Sequence, residues 1–142
     1  MNKDVYDIKT HLTFIENNIT RMANHSFQAK AWCITILTAM ISILFTQNNL
    51  ELRQLAIYLS CFVIIMFAII DSYYLYLERG FRKVYELTIN GHMKPYSMKI
   101  PKEERGICLY CKAFLSVSTG LLYLFMTIGV LILYYNLCMV RA

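Results

Sequence analysis

Cys61-Phe62-Val63-Ile64-Ile65-Met66-Phe67-Ala68-Ile69-Ile70-Asp71-Ser72-Tyr73-Tyr74-Leu75-Tyr76-Leu77-Glu78-Arg79 is the stretch whose reading decides the fold. It sits in a longer run, Leu52 to Asn90, that holds no proline and one glycine, Gly80. No charge occurs from Leu55 to Ile70. Asp71 is the first, tyrosines follow, and Glu78, Arg79, Arg82 and Lys83 come only after them. A chain in hydrocarbon must satisfy its backbone internally, so a breaker-free apolar run predicts a helix. Tyrosines then charges at one end mark where it leaves the bilayer. One long helix, begun inside a membrane and continued out of it, is the expectation.

Working outward, two further apolar segments flank this one: Ala29 to Thr46 and Ala113 to Val140. About 20 residues at about 1.5 Å each cross a hydrocarbon core of about 30 Å. Spans are therefore expected at 29–46, 55–77 and 113–137, the second continuing to 89 as a helical stalk. Only 16% of the 142 residues are charged and 58% are hydrophobic, whereas soluble domains carry about a quarter charged residues. Too few amphipathic helices remain to wrap three such segments as a soluble core. The fold class expected is an all-α membrane protein in one domain, with an N-terminal amphipathic helix and three transmembrane helices. No signal-peptide pattern precedes the first span, which is expected to act as its own uncleaved signal.

Orientation follows from the basic residues. Twelve of them, Lys3, Lys9, Arg21, Lys30, Arg79, Arg82, Lys83, Lys94, Lys99, Lys102, Arg105 and Lys112, fall on one side of a three-span chain. Arg53 and Arg141 fall on the other. The positive-inside rule then predicts a cytoplasmic N-terminus and an outside C-terminus. The formal charge of +5 becomes a property of the inner face, suited to anionic lipid heads or an anionic ligand.

Residues 4–28 are expected to form the amphipathic cytoplasmic helix. Val5, Ile8, Leu12, Ile15, Ile19 and Met22 repeat in steps of three and four, the seam of a helix that packs on another. Asp4 is the expected cap and Asp7 suits the positive end of the dipole. Its partner is expected in Ile70, Tyr74, Leu77, Phe81, Val84 and Thr88, a seam of the same period past the membrane. Asn90-Gly91 supplies the stop. Asn24-His25-Ser26 reads as a mild break before the first span, or as a polar turn within one continuous helix.

Polar residues inside the spans are the candidate functional positions. Thr35, Thr38 and Ser42, with Thr46, share one face of the first span. Such a stripe either lines a water-filled path or lets helices approach and hydrogen-bond, the commoner use. Asp71 lies about 12 Å along the helix before Arg79, and an aspartate at a span centre costs about 2.5–3.5 kcal/mol. It therefore needs water or a cation, with Lys30 and Lys112 within reach. It either fixes the bundle through an ion pair or faces an aqueous gate. In the basic loop 90–112, His92, Lys94, Lys99, Lys102 and Arg105 are candidate contacts for a phosphate-bearing ligand or, more simply, for lipid heads.

No catalytic pattern is present: no Gly-rich phosphate loop, no G-x-S-x-G, no H-E-x-x-H. Arg21 and His25 stand too close for the Arg/His pairs of small helical ribonucleases. Cys33, Cys61 and Cys138 lie in or beside apolar segments, where thiols behave as small apolar groups. Cys108 and Cys111 form a C-x-x-C without a second ligand pair, His92 being a third ligand at most. The expectation is no enzyme, no metal, no cofactor and no nucleic-acid partner.

Two stretches carry a resemblance. They are Arg21-Met22-Ala23-Asn24-His25-Ser26-Phe27-Gln28-Ala29-Lys30-Ala31-Trp32 and Asp71-Ser72-Tyr73-Tyr74-Leu75-Tyr76-Leu77-Glu78-Arg79-Gly80-Phe81-Arg82-Lys83-Val84-Tyr85. Both resemble a family of small three-helix bacterial membrane proteins associated with anti-phage defence loci. The resemblance implies an inner-membrane, homo-oligomeric effector that a partner protein or a nucleotide signal triggers to depolarise the membrane. The alternative is a non-enzymatic anchor that recruits a cytoplasmic partner through the stalk and loop.

Overall fold

Two helices of nearly equal length carry the molecule. The computed structural model of the chain describes residues 7–46 and 49–139, with side chains to Asn136. Helix α1 runs Ile8–Thr46 and α2 runs Leu50–Ile89, each close to 60 Å at about 1.5 Å per residue. Only three residues separate them, so they pack antiparallel. Beyond α2 come a 3₁₀ turn at Lys102–Glu104, α3 at Ile107–Phe114, a π turn at Val117–Leu121, and α4 at Leu122–Met139. No strand occurs among the described residues. Three helical stretches, Ile8–Thr46, Leu50–Ile89 and Val117–Asn136, are long and apolar enough to cross a membrane.

Local chemistry sets the helix ends. Asp7 caps α1, its carboxylate accepting from the Lys9 amide at 3.0 Å and from the Thr10 hydroxyl. The Thr10 hydroxyl bond, with the amides of Thr10 and Lys9, holds the Asp7 carboxyl below its usual range. The expected cap Asp4, and Val5 of the expected seam, lie outside the described residues. Asn49 opens α2 by accepting from the Glu51 amide at 2.9 Å, and Glu51 faces the positive dipole end. At the far end the Gly91 amide bonds Thr88 O at 3.1 Å and the His92 amide bonds Leu87 O at 2.9 Å. That pair of bonds is a Schellman closure, and it requires the positive φ of 73° that Gly91 adopts.

The buried face of α1 is one stripe, His11, Ile15, Met22, Ser26, Ala29, Cys33, Leu37 and Leu44. Its steps of three, four and seven stay on one side of a helix. Ile15 and Met22 of the expected seam are buried, while Ile8 is exposed. On α2, Val84 and Thr88 are buried as expected, Tyr74, Leu77 and Phe81 are half-buried, and Ile70 is exposed. Asn24–Ser26 makes no break: α1 is continuous and Ser26 turns inward. At the other end of the pair, Cys33, Leu37, Leu44, Ala56, Ile57, Ile64 and Ala68 form the core with Tyr123 and Val130 of the third span. The outer surface at that end is also apolar, with Phe45, Tyr58, Phe62, Phe125 and Leu124 exposed. A soluble monomer does not leave an apolar surface so extensive open to water.

The third span departs from the expected single helix starting at 113. Ile107–Phe114, expected in the loop 90–112, is already helical. The helix then stops: Ser116 is extended (φ −70°, ψ 153°), and a π turn precedes α4. Val117-Ser118-Thr119-Gly120 joins β-branched, hydroxyl and glycine residues, all poor helix formers, which is the local reason for the interruption. Tyr110 pins α3 to α2 by donating its hydroxyl to Ile69 O at 2.9 Å, with its ring edge-on to Tyr76.

The segment 90–106 folds back along the α1–α2 pair. Ser97 O accepts from His11 Nε2 at 3.2 Å, Met98 Sδ accepts from Asn18 Nδ2 at 3.6 Å, and Ile100 lies on Gly80. These contacts step toward the apolar end of the pair. Tyr85 ties α2 to α1 by donating to Glu16 at 3.0 Å. An added Cβ at Gly80 would stand 2.7 Å from Ile100 Cδ1, so that side chain would have to shift to admit one. Gly80→Leu should therefore lift residues 97–100 off the helices and raise the rate of tryptic cleavage at Lys99 several-fold. Unchanged cleavage would show that Ile100 is not the anchor of this segment.

Candidate functional site

Where α1, α2 and the third span meet, a charged cluster is sealed inside. Ser26 and Lys30 are four residues apart on α1 and so face the same way. Asp71 enters from α2 and is fully buried. Lys30 Nζ stands 2.7 Å from Asp71 Oδ2 and 2.8 Å from Oδ1. The Ser26 hydroxyl donates to Asp71 Oδ1 and accepts from Lys30 Nζ at 2.8 Å. Three groups thus bond one another in a closed triangle. The Lys30 side chain keeps 16% exposure, so the amine reaches inward while its stem runs along the surface.

A fourth group closes the site from α4. Tyr123 is buried, and its hydroxyl approaches Asp71 without completing a hydrogen bond of normal geometry. Aromatic rings fill the neighbouring turn of α2: His25 packs on Tyr74 with ring centres 5.1 Å apart, and Tyr74 on Tyr73 at 6.0 Å. Chemically the cluster is a locked ion pair, with neither a nucleophile nor a proton acceptor left open to a substrate.

The other expected positions lie elsewhere. Lys112 sits in the last turn of α3, where its carbonyl takes a long contact of 3.5 Å from Arg79 Nη1. Its side chain lines a groove of about 190 Å³ with Tyr76, Arg79 and Glu104. Lys30, not Lys112, holds Asp71. Thr35, Thr38 and Ser42 are exposed on the outside of the three-helix unit. Their hydroxyls donate to the carbonyls of Ala31, Ile34 and Thr38 at 2.8–2.9 Å, and Thr46 does the same to Ser42. His92, Lys94, Lys99, Lys102 and Arg105 are all exposed along the returning segment. The segment is held instead by Ser97, Met98 and Ile100, with the Tyr96 ring 5.7 Å from that of His11. Cys108 and Cys111 are exposed free thiols on α3, and Cys138 lies outside the residues whose side chains are described. Among the described residues no three His, Cys, Asp or Glu side chains are arranged to hold a metal ion.

Ser26 and Tyr123 are members of the cluster that sequence reasoning did not assign to it. For Ser26 a signal exists: its spacing of four from Lys30 puts a hydroxyl beside the amine that Asp71 needs. For Tyr123 there is none, because its place depends on the register of α4 after the π turn. Compared with known proteins, the chain matches no family model, no curated protein sequence and no solved structure.

Removing one partner of a buried ion pair strands the other charge and costs about 3–5 kcal/mol, whereas replacing both with apolar groups is close to neutral. Lys30→Met and Asp71→Leu should each lower the unfolding midpoint in detergent strongly. The double variant should recover most of the loss. Additive losses in the double variant would show that the two side chains do not hold each other.

Proposed function

We propose that this chain is a bacterial inner-membrane effector whose copies assemble around an axis and open a path that collapses the membrane potential. In this reading the N-terminus and the 90–112 region are cytoplasmic and the C-terminus is outside. The first part of α1, from Ile8 to Gln28, and the continuation of α2 to 89 form the cytoplasmic stalk, where a partner protein or a nucleotide signal acts. The resemblance to proteins of anti-phage defence loci suggests the class of trigger.

The observation that carries the reading is the outward row Thr35, Thr38, Ser42 and Thr46, which is exposed on one subunit and lies within an apolar span. One subunit encloses no water path along it. Several subunits placing this row on a common axis would. Each hydroxyl already donates to its own helix, so the row is stable facing lipid, and its remaining lone pairs can meet water or ions once assembled. The Lys30–Ser26–Asp71 triangle then serves as the fixed core about which the subunits move.

A second reading is favoured by the built inner end of the helix pair. Glu16, Ile19, Arg82 and Tyr85 line an open groove of about 370 Å³ there, suited to an anchor that recruits a cytoplasmic protein.

Induced expression in bacteria with a potential-sensitive dye separates the two. Depolarisation is expected, with Ser42→Leu abolishing it by placing a bulky apolar chain on the axis and Asp71→Asn altering it. An unchanged potential together with co-purification of a cytoplasmic protein would replace the effector by the anchor.

A further inference from the structure

Hydroxyls within the apolar stretches of this chain are self-satisfied almost everywhere. Those of Thr35, Thr38, Ser42, Ser60, Ser72 and Thr127 each donate to the carbonyl four residues back. The exception is the start of the third span. There the buried oxygens of Ser116 and Thr119 have no hydrogen-bond partner, while the Tyr123 hydroxyl is turned toward Asp71. Thr119 and Tyr123 are at most 5% exposed. The cause for the first two is the interruption itself: with Ser116 extended and Thr119 in a π turn, no carbonyl stands four residues back in helical register. Buried donors are rarely left unmet, and π turns recur at functional sites.

All three residues line one groove of about 560 Å³, the largest described. Its walls are otherwise apolar, with Ile64, Ala68, Phe114, Val117, Leu121 and Leu124. The volume is that of a small-ligand site, and an apolar cleft with a few convergent polar groups is the usual form of one. Phe114, the last residue of α3, lines it two residues after Lys112. The groove therefore begins at the charged boundary and runs along the span.

We propose that this groove holds one phospholipid, an acyl chain along its apolar wall and an ester carbonyl accepting from the Ser116 and Thr119 hydroxyls. The occupant must be apolar in body and must bring an acceptor for the hydroxyl protons. A glycerol ester of the bilayer meets both conditions with a carbonyl that holds no other bond, whereas the backbone carbonyls of a second copy's helix already hold one. Lys112 and Arg79, which adjoin each other on the charged side, favour an anionic headgroup. The proposal rests on membrane residence and not on pore formation.

Ester and ether lipids of one headgroup differ in the carbonyl alone, which makes the test direct. Delipidated full-length protein in detergent is titrated with diester and with diether phosphatidylglycerol and followed by native mass spectrometry. One diester molecule should bind, with the diether analogue about tenfold weaker, in line with losing more than one hydrogen bond. Thr119→Val and Ser116→Ala remove donors, and each should narrow the difference. Ser60→Ala, whose hydroxyl is already bonded to Ala56 O and lies outside the groove, should leave it unchanged. Unchanged elution and helicity show that a variant has folded. Equal binding of the two lipids, or an ester preference retained in Thr119→Val and Ser116→Ala, would overturn the proposal. So would a dimer that carries no lipid, the sign that a second copy fills the groove.

Discussion

A carboxylate buried in an apolar helix must be answered by another helix, and most of this structure can be understood from how Asp71 is answered. Lys30 and Ser26 reach it from α1 with bonds of hydrogen-bond length, and all three groups bond one another. The triangle fixes the register of α1 against α2. Moving either helix by one residue would take Lys30 off the carboxylate and strand a charge where no water can reach it. Leu and Ile at the same positions would pack in several registers. A charge pair accepts one.

That register sets the packing in both directions. Away from the charged end, Cys33, Leu37 and Leu44 meet Ile64, Ala68 and Ala56 in a core of small and branched residues. Toward it, Tyr74 meets His25 and Tyr85 meets Glu16, and the returning segment closes over His11, Asn18 and Gly80. The third span is held differently. Tyr110 fastens α3 to the α2 backbone, the π turn shifts the register of α4, and Tyr123 arrives next to Asp71. The interruption at Ser116 is thus what lets α3 bond at the boundary while α4 packs inside.

Much of this was legible in the sequence because it depends on composition over tens of residues. The three spans, the continuity of α2 through Gly80, the stop at Asn90-Gly91 and the need of Asp71 for a cation all follow from hydropathy, breakers and the cost of burying charge. Choosing Lys30 over Lys112 needed geometry, since both begin spans on the same side and only the inward turn of Ser26 decides between them. The helix at Ile107–Phe114 and the π turn were not legible. No proline or glycine marks Leu115-Ser116, and the stop arises from weak helix formers after it. The seam read from Val5 to Met22 is half right for a similar reason. Periodicity gives a face, but the polar residues His11 and Ser26 entered that face because partners in Ser97 and Asp71 awaited them.

The central claim is that Lys30 and Asp71 meet as an ion pair between two helices long and apolar enough to cross a membrane. Solid-state NMR of the protein reconstituted in bilayers, carrying ¹⁵Nζ-lysine and ¹³Cγ-aspartate, measures that contact directly. The account predicts a strong dipolar coupling between Lys30 Nζ and an ionised Asp71 carboxylate, lost in Lys30→Met. A protonated Asp71 with no lysine nitrogen in contact, in protein that has entered the bilayer, would contradict it.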